Sequence, residues 1–347
     1  MLYCQGYFHL LCKKREEMKM DELIAGFSGQ LREALEIGRA ASLRNPDREI
    51  RNIVVTGLGG SGIGGNLASE FLAGELKVPM NVNKGYFIPS YVDDHTLLIV
   101  SSYSGNTEET LNALALAEQA GAWIVCISSN GKVLERAREM NFDFIQVPGG
   151  LPPRACLGYS LVQQLYILYR LGFSSDQALS DVAIAADQLD RREDEIKSAA
   201  RDLAHYFHGR LPVIYVSDQM ASVAVRVRQQ INENAKMLCW HHVIPEMNHN
   251  ELVGWRDENE NLAVLFLRNE DDYERNSQRI ELNKEIIGKY TPHVRELWSK
   301  GESLVQRALY LIHLCDWMSF YLAELHGVDP VEVRVIDFLK GELAKKN

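Results

Sequence analysis

The 347 residues carry 37 basic and 47 acidic side chains, for a net charge of −10. Nucleic acids and anionic membranes attract basic surfaces, so neither is expected as a general partner, whereas a small anion held in a local pocket is compatible. A composition of 46% hydrophobic and 24% charged residues is that of a globular protein, long enough for two domains.

Residues 1–20 place an apolar patch (7–12) before a charged cluster (13–17), the reverse of a secretory signal peptide. Met18 and Met20 offer later starts, and this N-terminal extension is expected to have no function. Residues 21–43 repeat apolar side chains at helical spacing (Leu23, Ile24, Phe27, Leu31, Leu35) until Asn45-Pro46-Asp47 interrupts them. Ile53-Val54-Val55 predicts a short buried strand running into the glycine-rich loop 57–65, with a helix after it. Further strands are predicted at 80–82, 97–101, 124–127 and 144–147, with helices at 108–120 and 133–140. Such alternation implies a parallel sheet covered on both faces.

The Pro- and Gly-rich segment 148–153 punctuates the chain. An apolar helix (157–171) follows, then a charged helical stretch (174–207) suited to bridging two domains. A second α/β unit begins with strand 213–216, helix 221–234 and strand 262–267. A long apolar helix (304–325) precedes the closing segment 330–345. It is a candidate for burial in the core or at a domain or subunit contact. Domains are therefore expected at 21–175 and 176–347, and only the first has glycine-rich and hydroxyl-rich loops. No apolar run approaches the ~18 residues that span a bilayer. Six scattered cysteines (Cys4, Cys12, Cys126, Cys156, Cys239, Cys315) fit reduced thiols in the cytoplasm better than a disulfide framework.

Gly57, Gly59 and Gly62 satisfy G-x-G-x-x-G, but a dinucleotide site needs an acid after the second strand, and residues 78–88 hold none, only Lys84. A glycine turn serving close helix–strand packing is the plainer alternative. Ser61 in its middle favours a phosphate contact. The stronger signal is Ser102-Tyr103-Ser104-Gly105-Asn106-Thr107, between a predicted strand and a predicted helix. Thr107 before Glu109 and Thr110 also suits a helix cap, yet a cap needs one hydroxyl and three cluster here. Both loops follow parallel strands, so both open at the carboxyl edge of the sheet, where helix N-termini offer unpaired N–H groups to an anion. His241, His242 and His249 lie near Glu246 and Glu251, but the His-x₇-His spacing with Pro245 between gives no i, i+4 histidine pair, so no metal is expected.

Gly59-Gly60-Ser61-Gly62 with Ser102-Tyr103-Ser104-Gly105-Asn106-Thr107-Glu108-Glu109-Thr110 resembles the sugar isomerase (SIS) domain. Four later segments narrow the resemblance to the bifunctional phosphoglucose/phosphomannose isomerase family: Pro152-Pro153-Arg154, Glu233-Asn234-Ala235-Lys236, Asn248-His249-Asn250-Glu251 and Ile336-Asp337-Phe338-Leu339-Lys340. The resemblance implies two tandem SIS domains, doubly wound and flavodoxin-like around parallel sheets, with a helical C-terminal segment. It implies interconversion of glucose 6-phosphate and fructose 6-phosphate, and of mannose 6-phosphate and fructose 6-phosphate, through a cis-enediol, without cofactor or metal. Gly60, Ser61, Ser102, Ser104 and Thr107 would anchor the phosphate. Glu233 would be the base, His249 the ring-opening group assisted by Lys340, and Arg154 the electrostatic partner of the enediolate. A homodimer is implied, with His249 reaching the pocket of the other subunit. Using both aldoses needs room to rotate the enediol about C2–C3, which the family links to a small polar residue near the terminal lysine. Residues 327–340 contain no Thr, Ser or Gln, so the mannose activity has less support than the glucose activity.

Taken singly, these residues have plainer readings. Glu233 suits a solvated helical carboxylate, His249 a structural hydrogen bonder, Arg154 a loop charge and Lys340 a lysine at a helix C-terminus. The order of the motifs selects them. A non-catalytic SIS module that binds a sugar phosphate and regulates a partner is the alternative. An amide-transfer enzyme would need a glutaminase domain, for which residues 1–50 are too short.

Overall fold

Nine strands form among the described residues, 19–346 of the computed structural model, and every strand pair is parallel. The chain separates into two compact units. Residues 23–192 with 300–310 make the first, and residues 19–22, 193–299 and 311 onward make the second. The patches at 7–12 and 13–17 lie outside the described residues.

The first sheet comprises β1 (Asn52–Thr56), β2 (Met80–Asn83), β3 (Thr96–Ser101), β4 (Trp123–Ser128) and β5 (Asp143–Gln146), in the order β2-β1-β3-β4-β5. Ile53, Val54, Val55 and Leu97 to Val100 are fully buried, as uninterrupted apolar runs must be when helices cover both faces. The strand order reverses between β1 and β3, and ligands bind beyond the carboxyl ends at such a switch point. In place of one helix over 21–43, α1 (Met20–Ala25) and α2 (Phe27–Ala40) form, parted at Gly26, with Met20 already buried. The other helices of this unit are α3 (Gly59–Phe71), α4 (Glu108–Gln119), α5 (Gly131–Glu139), α6 (Leu157–Arg170) and α7 (Gln177–Arg191).

Glycines on α3 bring α6 against it. A Cβ on Gly64 would meet Ser160 Oγ at 2.7 Å, and that hydroxyl donates to the Gly60 carbonyl at 3.0 Å. Gln164 Nε2 donates to the Ser61 carbonyl at 3.3 Å. A side chain larger than hydrogen at Gly64 would push these helices apart.

The charged stretch predicted as one bridge is two helices: α7, in the first unit, and α8 (Glu193–Phe207), in the second. The second sheet contains β6 (Leu211–Ser217), β7 (Trp240–Ile244), β8 (Leu262–Arg268) and β9 (Val294–Trp298), in the order β7-β6-β8-β9. Helices α9 (Ala221–Ala235), α10 (Glu274–Ile287), α11 (Leu304–His326) and α12 (Arg334–Ala344) complete the chain. The sequence reading omitted β7, β9 and α10. Both strands are edges whose side chains remain partly exposed, so neither shows a buried apolar run. Helix α10 is polar over most of its surface and buries only Asn276, Ile280, Asn283 and Ile287. By contrast, α11 is buried over nearly its whole length, and α12 has no buried residue. No helix of the described residues is long and apolar enough to cross a membrane.

Candidate active site

In the first unit the two predicted loops meet. β1 leads into Gly57, and α3 begins at Gly59, so the first-turn N–H groups of α3 face the carboxyl edge of the sheet. Ser61 is buried in that first turn, and its Oγ accepts the Tyr103 N–H at 3.2 Å, stitching one loop to the other. Ser102 is buried and donates from Oγ to Thr107 Oγ1 at 3.3 Å. Ser104 is exposed and accepts the Asn106 N–H at 3.3 Å. Thr107 stands at the N-cap of α4, yet its side chain makes no capping bond. A hydroxyl can accept and donate at once. Ser61, Ser104 and Thr107 each accept inside the site, which leaves three O–H groups to donate to a ligand.

Gly105 makes the turn possible. Its φ is +69°, and a Cβ there would lie 1.8 Å from the Asn130 carbonyl oxygen. Its N–H donates to the Ser102 carbonyl at 3.1 Å, and its own carbonyl accepts from Val133 N at 3.0 Å. Ser128 and Ser129, at the end of β4 and just beyond it, brace the turn from behind. Ser129 Oγ donates to the Tyr103 carbonyl at 2.7 Å, and Ser128 Oγ donates to the Asn130 carbonyl at 2.8 Å. Sequence reasoning passed over these two serines, although Ser128-Ser129-Asn130-Gly131 after a buried strand repeats the hydroxyl–glycine signal.

Arg154 also comes to this loop. It is buried in a short 3₁₀ turn, Pro153–Ala155, and a Cβ on Gly60 would meet the Pro153 carbonyl at 2.7 Å. Gly60 is therefore the residue that lets the proline–arginine segment approach the first turn of α3. Tyr103 holds that segment too, its hydroxyl oxygen accepting the Leu151 N–H at 3.1 Å. Burial, with Cys156 beside it, pushes the Tyr103 phenol well above its ordinary range, so it stays a neutral hydrogen-bonding group. Lys84 places its Cε 3.5 Å from where a Cβ on Gly62 would stand. The residue that spoke against a dinucleotide site thus puts a cation beside the glycine loop.

The second unit holds Glu233, His249 and Lys340. Glu233 is half-buried in the last turn of α9, and the rest of its motif clamps that helix end. Asn234 Nδ2 donates to Ser319 Oγ at 2.9 Å, His326 Nδ1 lies 3.2 Å from the Ala235 carbonyl, and Lys236 takes the left-handed cap position with φ +56°. The Lys236 ammonium donates to the Glu233 carbonyl and, at 2.7 Å, to that of Glu332. Deeper in α9, Arg226 pairs with Asp316 of α11 at 2.8 Å, both buried. His249 lies exposed in the turn Glu246–His249 after β7, and Lys340 lies exposed on α12. Neither side chain makes a hydrogen bond or ion pair among the described residues, so none joins the two to each other or to Glu233. The four cysteines described, Cys126, Cys156, Cys239 and Cys315, form no disulfide among the described residues.

Comparison with known proteins is consistent with this geometry. Residues 196–343 match the family described as the bacterial phospho-glucose isomerase C-terminal SIS domain. The chain is 39% identical over 336 residues to the bifunctional phosphoglucose/phosphomannose isomerase of Caldicellulosiruptor bescii, covering 94% of this chain and 99% of that one. Identity to the protein of the same name in Aquifex aeolicus is 38%, covering 85% and 91% of the two chains. A solved structure of a hypothetical protein from Thermus thermophilus shares the fold, with a TM-score of 0.74 at 16% identity over 99% of this chain and 96% of that chain. Identity at the level of the first two relatives, over most of each chain, is not a matter of shared fold alone: the protein belongs to the bifunctional phosphoglucose/phosphomannose isomerase family.

Proposed function

We propose that the protein is an aldose–ketose isomerase that interconverts glucose 6-phosphate and fructose 6-phosphate, and mannose 6-phosphate and fructose 6-phosphate. The observation that carries this reading is the set of three hydroxyls, Ser61, Ser104 and Thr107, each with an O–H left to donate, beside the N-termini of α3 and α4. Three such donors with helix N–H groups suit a phosphate monoester. The names of the relatives support the reaction. The two units are read as tandem SIS domains of the doubly wound, flavodoxin-like kind. The shared strand order of the two sheets and the match over residues 196–343 support this.

In this reading Gly60, Ser61, Ser102, Ser104 and Thr107 hold the phosphate, which takes no part in bond making. Its binding energy holds the reacting carbons in place. His249, assisted by Lys340, moves the proton between the ring oxygen and the hemiacetal hydroxyl, which opens the ring. Glu233 then takes the proton from C2 of the open-chain aldose while the C1 carbonyl oxygen gains one, giving the cis-enediol. Return of the proton from Glu233 to C1, with loss of the O2 proton, gives the ketose. Arg154 stabilises the negative charge that develops on the enediol oxygens. No step requires a cofactor or a metal.

The working unit is proposed to be a cytoplasmic homodimer in which His249 serves the partner copy. The exposure of α12 supports a covered face, for Val335 is 82% and Phe338 70% exposed. The test of the function is a coupled assay that offers fructose 6-phosphate and scores glucose 6-phosphate and mannose 6-phosphate separately. Both products are expected. Binding of the phosphate ester without turnover of either would instead favour a regulatory SIS module.

A further inference from the structure

The residues around His249 are fastened to the second unit, and the His249 side chain is not. Met247, two positions before it, is fully buried. Asn248 donates through Nδ2 to Asn283 Oδ1 on α10 at 2.7 Å. Asn250 donates to Glu246 Oε1 at 2.8 Å and accepts the Glu251 N–H at 2.6 Å, which starts the next 3₁₀ turn, Glu251–Gly254.

Glu251 reaches furthest. Its Oε1 accepts from the Tyr215 hydroxyl on β6 and from Trp240 Nε1 on β7 at 3.2 Å. The Tyr215 oxygen in turn accepts from Trp255 Nε1 at 3.1 Å, just past the end of the turn. One carboxylate oxygen thus ties the loop to two adjacent strands. Tyr215 and Trp255 are buried, so their polar atoms need these partners.

We propose that Glu251 is a positioning residue for His249: it tethers the 245–254 loop to β6 and β7 so that the exposed imidazole two residues away keeps one orientation. This rests on the reading of His249 as the ring-opening group. Met247, and Trp255 just past the loop, sit in the apolar core of the second unit with Leu252 packed against it. The stretch between, Asn248-His249-Asn250-Glu251, is polar and has no apolar side chain to fix it, and displacement of a reacting group by about an ångström costs ~10²-fold in rate. The Glu251 carboxylate supplies the missing constraint. It has no part in proton transfer itself.

The test is a double-mutant cycle on the full chain, with kcat and KM measured for fructose 6-phosphate. Glu251→Ala is expected to lower kcat about 10- to 100-fold while KM stays within about 3-fold. Glu251→Gln keeps an oxygen acceptor at Oε1, and its kcat is expected to lie within about 3-fold of the parent. On a His249→Ala background, Glu251→Ala should cost less than about 2-fold more, since residues that act through one another are not additive. Should Glu251→Ala fail to fold, Tyr215→Phe, which removes one hydroxyl, takes its place in the same cycle with an expected fall of about 3- to 10-fold. Full additivity with His249→Ala, or a Glu251→Gln enzyme as slow as Glu251→Ala, would overturn the tether while leaving the role of His249 intact. Parent-like turnover in His249→Ala alone would instead remove His249 from the mechanism, and the tether with it.

Discussion

The two parallel sheets share the order of their first four strands and differ in the loops that leave the first and third. After β1 and β3 come the glycine loop and the hydroxyl turn, where three O–H groups are left without an acceptor among the described residues. At the end of β6 and after β8 come Ser217-Asp218-Gln219-Met220 and residues 269–273, where the protein supplies a carboxylate of its own. The Ser217 hydroxyl donates to Asp272, and the Asn269 N–H donates to the same carboxylate at 3.1 Å. Burial raises the Asp272 pKa, while the Ser217, Asn269 and Arg268 contacts oppose that rise. One sheet order thus frames a turn lined by hydroxyls in the first unit and one filled by its own carboxylate in the second. Sheet topology marks where a ligand can bind, and the loop side chains decide whether one does.

The proposed function gives the grip on phosphate to the first unit and the proton chemistry to the second, and variants should separate the two. The largest effect is expected at Glu233. Glu233→Gln should lower kcat by about 10²- to 10⁴-fold, the range for loss of a general base, with affinity for fructose 6-phosphate nearly unchanged. Steady-state kinetics beside direct titration would show the split. Gly105→Ala comes next. The added Cβ cannot share space with the Asn130 carbonyl, so the turn must change shape, weakening phosphate-ester binding at least about 10-fold and destabilising the fold by about 1–3 kcal/mol. Calorimetric titration and thermal unfolding report each part.

Thr107→Val should raise KM about 10-fold while kcat stays within about 3-fold if, as proposed, the hydroxyl binds the phosphate, a group that does not react. An unchanged KM would mark Thr107 as backbone support for α4 only.

The smallest effect concerns the pH response of the second unit. Burial, with Arg228 and His242 nearby, lowers the His241 pKa from its ordinary 6.5 to about 4. Between those values the unfolded chain binds the proton and the folded chain does not, so stability rises with pH across that window and falls on acidification. In His241→Asn the melting temperature should depend less steeply on pH between about 4 and 6.5.

The central strands were legible because both of their faces are buried. Val54-Val55 and Leu97-Leu98-Ile99-Val100 read as strands in any context, whereas β7 opens Trp240-His241-His242 and carries no such run. The glycine loop and the hydroxyl turn were legible because glycine and hydroxyl residues follow buried strands. The part played by Gly60 was not, since it depends on the Pro153 carbonyl, more than ninety residues along the chain. Glu251 was equally hidden. It reads as one acid in a polar run until the fold brings Tyr215 and Trp240 to it.

The most direct measurement of the central claim is solvent-proton exchange in heavy water, followed by nuclear magnetic resonance on fructose 6-phosphate and its aldose products. A base that carries the proton between C1 and C2 exposes it to solvent exchange. The parent enzyme should therefore place deuterium on those carbons, and Glu233→Gln should place almost none while still binding fructose 6-phosphate through the first unit's hydroxyls. Parent-like deuterium incorporation in Glu233→Gln would contradict the assignment of the chemistry to the second unit.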